Sequence, residues 1–277
     1  MKSKELTIVI VAFKSDKKII SCLESISNKI PIIIVENSDN VDFKKKIESK
    51  FKNVNCILTG ENKGYSIANN IGLKLVKSKY ALVLNPDTVL EKNTIKNFFV
   101  FAELNKDFWL VGPASDQMVE IDYKSKNSQE VKNLKGFAIF FNMSKFNGEF
   151  FDENFFLYFE EIDLCKRIQI NKGKIFLDKN IIFDHEGGKS VNNFFSFELE
   201  KNRNWHWMWS TFYFHKKYKG FFLATIIIFP KLLSALFKSI FYLIIFNKKK
   251  RDIYLHRLSG VLNSITGKKS WYRPALD

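Results

Sequence analysis

LVLNPDTVLEKNTI, residues 82–95, runs an apolar segment directly into Asn85, Pro86 and Asp87. A run of this length reads as a strand, and Asn-Pro-Asp closes it with residues that favour turns. An acid in that position admits two readings. It belongs to a turn that leads into a helix cap, or it stands at the carboxyl edge of a buried strand and faces a ligand or metal. The tripeptide alone does not choose between them.

Upstream, LTIVIVAF (6–13) is continuous, apolar and rich in β-branched residues, which predicts a strand covered on both faces. KKIISCLESIS (17–27) then sets Ile19, Ile20, Leu23 and Ile26 at helical spacing. PIIIVENSD (31–39) predicts a second buried strand ending in polar residues. NVNCILTG (53–60), a helix through Leu75 and YALVLNPD (80–87) complete a third unit. Strands alternating with helices predict an α/β fold with a parallel sheet, and such sheets bind ligands at the carboxyl ends of their strands. Asp87 falls at one of those ends.

ENKGYSIANNIG (61–72) supplies glycines for close backbone approach, Gly64 and Gly72, and side-chain amides from Asn62, Asn69 and Asn70. The segment suits a nucleotide or its phosphates, and equally an Asn-rich start to a helix. It holds no Walker GK[ST] and no GxGxxG. FNGEFFDENFFLYFEEIDLCKRI (146–168) gathers Glu160, Glu161 and Asp163 among phenylalanines. On a helix, Asp163 and Arg167 share a face, and Glu161 points about a third of a turn from Glu160. A carboxylate among aromatic rings is partly desolvated and more basic, as a general base requires; the plainer reading is an exposed acidic helix face. In FDHEGGKS (183–190), His185 follows the apolar run IFLDKNIIF (175–183), expected as one strand. Beside two glycines and Ser190, its imidazole has a loop setting from which it can reach a metal or a phosphate.

With 277 residues, 46% of them hydrophobic, the chain can bury a sizeable core. Cys22, Cys56 and Cys165 form no CxxC pair, so neither a zinc site nor a disulfide framework is expected, and a reducing cytoplasm is inferred. MKSKELTIVIVAF lacks the small-residue cleavage site of a signal peptide. The net charge is +15, but residues 201–277 hold 15 Lys and Arg against 2 Asp and Glu. A basic balance confined to a tail argues against nucleic acid as a partner. Trp205, Trp207, Trp209 and Trp271 lie in the same tail, so we expect two regions, 1–200 and 201–277.

Taken together and in order, TIVIVAFKS, IIIVENSD, ENKGYSIANNIG, LVLNPDT, FFDENFFLYFEEIDLCKR and HEGGKS resemble the inverting family 2 glycosyltransferases of GT-A fold, especially the rhamnosyltransferase-like branch that builds bacterial polysaccharides. The resemblance covers residues 5 to 200. It implies a nucleotide-sugar pocket formed by Ala12 on the first strand, Glu36 on the base or ribose, Asn62 and Gly64 in the surrounding loop, Asn70, and Asn85. Asp87 is implied as the remaining acid of a DxD-type metal site, here Asn85-Pro86-Asp87, with His185 as a further metal or diphosphate contact. Glu161 takes the place of the family's catalytic Asp, with Asp163 as the alternative base. Gly136, in NLKGFAIFFN (133–142), and Glu160 are implied near the acceptor. The implied cofactor is Mg²⁺ or Mn²⁺. The implied partners are a dTDP- or UDP-sugar donor, with rhamnose as the family-level sugar, and a lipid-linked glycan acceptor. A rival from another class is an inactive GT-A scaffold that binds membrane or RNA through its basic tail. A nucleotidyltransferase is disfavoured, because no GxGxRL-type loop follows the first strand.

GFFLATIIIFPKLLSALFKSIFYLIIF (220–246) is long enough to cross a bilayer, yet Pro230, Lys231 and Lys238 interrupt it. Both flanks are basic, HKKYK before and NKKKR after, which disfavours a single crossing. Lys231, Ser234, Lys238 and Tyr242 form a narrow polar stripe at helical spacing. We therefore expect an in-plane or re-entrant helix on the cytoplasmic face of the membrane, peripheral or monotopic, with Lys and Arg reaching anionic head groups and Trp and Tyr at the interface. The alternative is a soluble helical cap.

Overall fold

The computed structural model describes residues 5–16, 18–114, 127–185 and 196–273. The chain forms two compact units, Met1–Phe151 with Glu161–Val191, and Asp152–Glu160 with Asn192–Asp277.

The first unit is built on a mixed sheet of order β3-β2-β1-β4-β8-β6-β9-β7. Its parallel half comprises β1 (Leu6–Ala12), β2 (Ile32–Glu36), β3 (Val54–Leu58) and β4 (Tyr80–Leu84). The strand β8 (Ala138–Asn142) runs antiparallel to β4, and β6 (Phe108–Pro113) antiparallel to β8. At the far edge, β9 (Lys174–Asp178) lies parallel to β6, and β7 (Ser128–Glu130) antiparallel to β9. A separate ribbon pairs β5 (Thr88–Leu90) with β10 (Phe183–His185).

The continuous apolar runs are explained by helices on both faces. Along β1, Leu6, Ile8 and Ile10 pack with α1 (Ile19–Glu24), α2 (Val41–Lys50) and α4 (Thr94–Leu104), while Val9 packs on the opposite side with α3 (Tyr65–Lys74) and α5 (Glu160–Ile170). Period-two alternation therefore meets a core in both directions, and the buried polar exception on β1, Thr7, is satisfied by the Ser78 hydroxyl at 2.7 Å. Phe140, at the centre of β8, stacks on Phe98 at 4.6 Å and on Tyr80 at 5.0 Å between ring centroids.

One expected element differs. IFLDKNIIF is not a single strand: β9 ends at Asp178, whose carboxylate accepts from the Asn180 N–H at 2.8 Å. This Asx turn sends the following residues into the separate ribbon with β5.

The second unit contains α6 (Ser196–Ile244) and α7 (Lys248–Ile265). The helix α6 breaks at Gly220, whose φ of 80° and ψ of 168° belong to a backbone region open to glycine. Met208 and Phe212 before the break pack with Ala224, Ile228 and, from α7, Val261. The tail tryptophans do not all face outward, contrary to their expected interfacial role. Trp205 and Trp209 are buried, donating to Ser259 Oγ at 3.1 Å and to the Lys268 carbonyl at 3.0 Å. Trp207 and Trp271 are exposed. His206 is buried as well, with its ring nitrogens 2.8 Å from Ser270 Oγ and 2.9 Å from the Tyr272 carbonyl. A carbonyl only accepts, so Nε2 carries the proton and Nδ1 accepts from Ser270.

Candidate active site

The loops after β1, β2 and β4 meet at the carboxyl edge of the parallel strands. Register places Ala12 beside Glu36 at the ends of β1 and β2. Glu36 is buried, and its carboxylate accepts from the Ser38 N–H and hydroxyl and from the Asn40 N–H at 2.7 Å. These donors come from its own turn, so Glu36 shapes the loop after β2.

The Asn/Gly segment is organised by a residue not singled out from sequence. Asn37, buried beside Glu36, donates from Nδ2 to Asn62 Oδ1 at 3.1 Å and to the Gly64 carbonyl at 3.3 Å. Its Oδ1 accepts from the Lys63 N–H at 3.0 Å. Asn62 Oδ1 also accepts from the Gly64 N–H at 3.1 Å. Gly64, at φ 84° and ψ 173°, turns the chain into α3 in a conformation that side chains resist. The signal was the position of Asn37 in VENSD, directly after a buried strand. Asn70 lies elsewhere: its amide donates to the Phe151 carbonyl at 2.9 Å and its Oδ1 accepts from the Phe151 N–H at 3.0 Å. It clamps the chain before α5 to α3.

After β4, the Asn85 N–H donates to the Phe137 carbonyl at 2.8 Å, tying the NPD turn to the segment before β8. Tyr65, the first residue of α3, donates its hydroxyl to the Gly136 carbonyl at 2.7 Å, and the same oxygen lies 3.2 Å from Asn85 Oδ1. A methyl group added at Gly136 would lie 3.9 Å from the Glu161 side chain, so the glycine faces Glu161 at the start of α5. Asn85, Tyr65, Gly136 and Glu161 thus form one connected edge.

Burial pushes the Glu161 carboxyl up to about 7, outweighing the hydrogen bond from its own backbone N–H. A carboxylate poised there exchanges protons near neutral pH. Asp163 has another role. Its side chain is fully buried and accepts from Arg167 Nε at 2.8 Å, and Arg167 also donates to the Phe150 carbonyl. This pairing makes it an anchor of α5. Glu160 is buried at the first position of α5. The two residues before it, Tyr158 and Phe159, are left-handed at φ 70° and 71°, a conformation costing about 1–3 kcal/mol each for such side chains.

Asp87 is 8% exposed, in the turn between β4 and β5. The β5–β10 ribbon sets His185 opposite Thr88, the residue after Asp87. The two expected metal residues, 98 positions apart in sequence, are thereby brought to one place by backbone pairing. Only the backbone of His185 is described, and residues 186–190 of HEGGKS lie outside the described residues. Among the described residues no three His, Cys, Asp or Glu side chains cluster as a metal site. One carboxylate with one further protein ligand nevertheless suits Mg²⁺ or Mn²⁺, which take the rest of their shell from substrate phosphates and water.

This sheet, parallel in one half and mixed in the other, with its polar loops at the carboxyl edge, is the GT-A fold. The chain belongs to glycosyl transferase family 2, whose pattern it matches over residues 7–165. It is 24% identical over 200 residues to the low-salt glycan biosynthesis hexosyltransferase Agl10 of Haloferax volcanii, a match that spans 61% of this chain and 64% of that relative. Among solved structures, the mannosyltransferase PcManGT of Pyrobaculum calidifontis, in complex with GDP-Man and Mn²⁺, superposes with a TM-score of 0.58 at 10% identity, over 96% of this chain and 88% of that one. S. aureus TarS 1–349 in complex with UDP-GlcNAc superposes with a TM-score of 0.53 at 14% identity, over 97% and 93%. These likenesses are of fold.

Proposed function

We propose that the protein is an inverting glycosyltransferase that moves a hexose, with rhamnose the first candidate, from a nucleoside diphosphate to a hydroxyl of a lipid-linked glycan. The observation that carries this reading is Glu161. It is a carboxylate with a pKa of about 7, held against Gly136 on the loop edge that also carries Asn85 and Asp87.

In the reaction, Glu161 takes the proton of the acceptor hydroxyl as that oxygen bonds to the anomeric carbon. The bond from that carbon to the diphosphate oxygen breaks on the opposite face, which inverts the configuration. A direct displacement needs one base, unlike the paired carboxyls of a hydrolase. Asn62 and Gly64 frame the nucleotide sugar, on a loop whose shape Asn37 and Glu36 hold. Asp87 and His185 would hold the divalent cation. When bound, the cation neutralises charge that develops on the leaving diphosphate. Support for the donor class comes from neighbours solved with UDP, UDP-GlcNAc and GDP-Man, and for the product class from a relative named for glycan biosynthesis.

The acceptor is met at the membrane. In the second half of α6, Phe222, Ile226, Phe229, Phe237, Ile240 and Ile244 are exposed, between basic flanks. An exposed apolar face bordered by Lys and Arg suits the cytoplasmic surface of an anionic bilayer. The deciding experiment is a thermal-shift screen of nucleotide sugars with Mn²⁺, followed by transfer assays with the donor that stabilises most. Failure of every nucleotide sugar to raise the melting temperature would refute the reading.

A further inference from the structure

We infer that a cavity in the C-terminal unit seats the phosphate of an anionic membrane lipid. Its volume is about 290 Å³, and Trp207, Met208, Pro230, Lys231, Ser234 and Arg257 line it. None of the six is acidic. Two cations and a hydroxyl over an apolar floor are the chemistry of a phosphate ester joined to hydrocarbon.

The cations are arranged for this. Arg257 donates its Nε–H to Asn204 Oδ1 at 2.6 Å, and its guanidinium carbon lies 5.3 Å from the Tyr254 ring centroid. That bond orients the fork and keeps the terminal N–H groups for a ligand. Lys231 adds to a local excess of positive charge. His215 is held below its ordinary value by burial first, and then by Lys219 and Lys231. The excess continues along the helix: Lys238 lies 5.3 Å over Tyr254, Lys250 lies 5.3 Å over Tyr242, and the two tyrosine rings stack at 5.6 Å.

Position decides between a lipid and a free phosphate. In the second half of α6, Ala224, Ile228, Ala235 and Ser239 are buried at spacings of four and seven, which defines the inner side. The exposed apolar residues lie across the helix from them. Lys231, Ser234 and Lys238 run along the border between the two. A phosphate attached to an acyl or isoprenoid chain meets the cations and the apolar face at once, whereas a free phosphate uses only the cations. This inference rests on the membrane-surface reading and adds the headgroup chemistry.

The test is flotation of the full chain with phosphatidylcholine vesicles carrying either phosphatidic acid or phosphatidylserine at matched surface charge. We expect a preference for phosphatidic acid. Lys231→Gln, an exposed position, and Arg257→Gln are each expected to lower that preference about fivefold to tenfold, with Lys249→Gln unchanged. Phe222→Ser with Phe237→Ser is expected to release the protein from all vesicles. Absence of wild-type binding to any anionic vesicle would overturn the membrane reading and the cavity with it. Equal binding to the two anionic lipids, or equal losses in Lys231→Gln and Lys249→Gln, would overturn the cavity alone. Loss of the preference on adding inorganic phosphate would show a free-phosphate site and reject the lipid.

Discussion

The Tyr65 hydroxyl donates to the Gly136 carbonyl at 2.7 Å and stands 3.2 Å from Asn85 Oδ1, joining residues 71 positions apart in the chain. One phenol thereby couples the turn that carries Asp87 to the loop that touches Glu161. Tyr65→Phe keeps the ring and removes the link. We expect kcat/KM to fall about tenfold, in line with a lost buried hydrogen bond, with little change in the nucleotide dissociation constant. Steady-state kinetics beside calorimetric nucleotide binding will separate the two.

Glu161→Gln keeps the shape and removes the base. Sugar transfer is expected to drop by about 10²–10⁴. In the wild type, activity is expected to rise with pH through about 7, because the base works only when ionised. Unimpaired transfer by the variant would refute the assignment.

Glu161 also makes a stability prediction of the opposite sense. Its folded pKa of about 7 exceeds the ordinary 4.5, so between these values the folded state binds more protons than the unfolded chain. Its contribution is present below 4.5 and is lost as pH rises through about 7. The gain in melting temperature of Glu161→Gln over wild type is therefore expected to be larger at pH 8 than at pH 5.

Asp87→Ala tests the cation. We expect the thermal stabilisation by nucleotide sugar with Mn²⁺ to be lost, while the protein without ligand still melts cooperatively. An unchanged Mn²⁺ dependence in the variant would show that Asp87 is not a ligand.

His206 governs acid stability of the C-terminal unit. Burial holds its ring down to about 3, against an ordinary 6.5, so the unfolded chain takes up a proton first as pH falls. The stabilisation is complete above 6.5 and declines below it, by at most about 1.4 kcal/mol per pH unit. His206→Phe is expected to be less stable at pH 7, having lost two hydrogen bonds, but to show a flatter pH dependence between 6 and 4 in chemical denaturation.

Much of the first unit was legible from local pattern. The apolar runs at 6–13, 31–39 and 80–87 became β1, β2 and β4, and Asp87 stands at the carboxyl edge where its run ends. Hydrophobic alternation and turn chemistry act over a few residues, so they can be read without knowing what packs against them. The destination of a polar side chain is not local in this sense. Glu36 and Asn70 carry donors and acceptors suited to a nucleotide, yet they serve Ser38, Asn40 and Phe151. Asp163 and Glu161 differ by two positions on one helix, yet one is paired with Arg167 and the other is pushed up by burial. In the tail, composition suggested interfacial tryptophans, while packing buried Trp205 and Trp209 and left the aliphatic and phenylalanine face of α6 outside.

By itself, the sequence determined the order of strands and helices, the polar loops at the strand ends and the basic, apolar character of the tail, because each follows from covalent neighbours. Tertiary structure alone decided which carboxylate is paired with an arginine and which is pushed up by burial. It also brought His185 beside the turn of Asp87 and linked Tyr65 to Gly136, since burial and hydrogen bonding depend on residues that only the folded chain brings together.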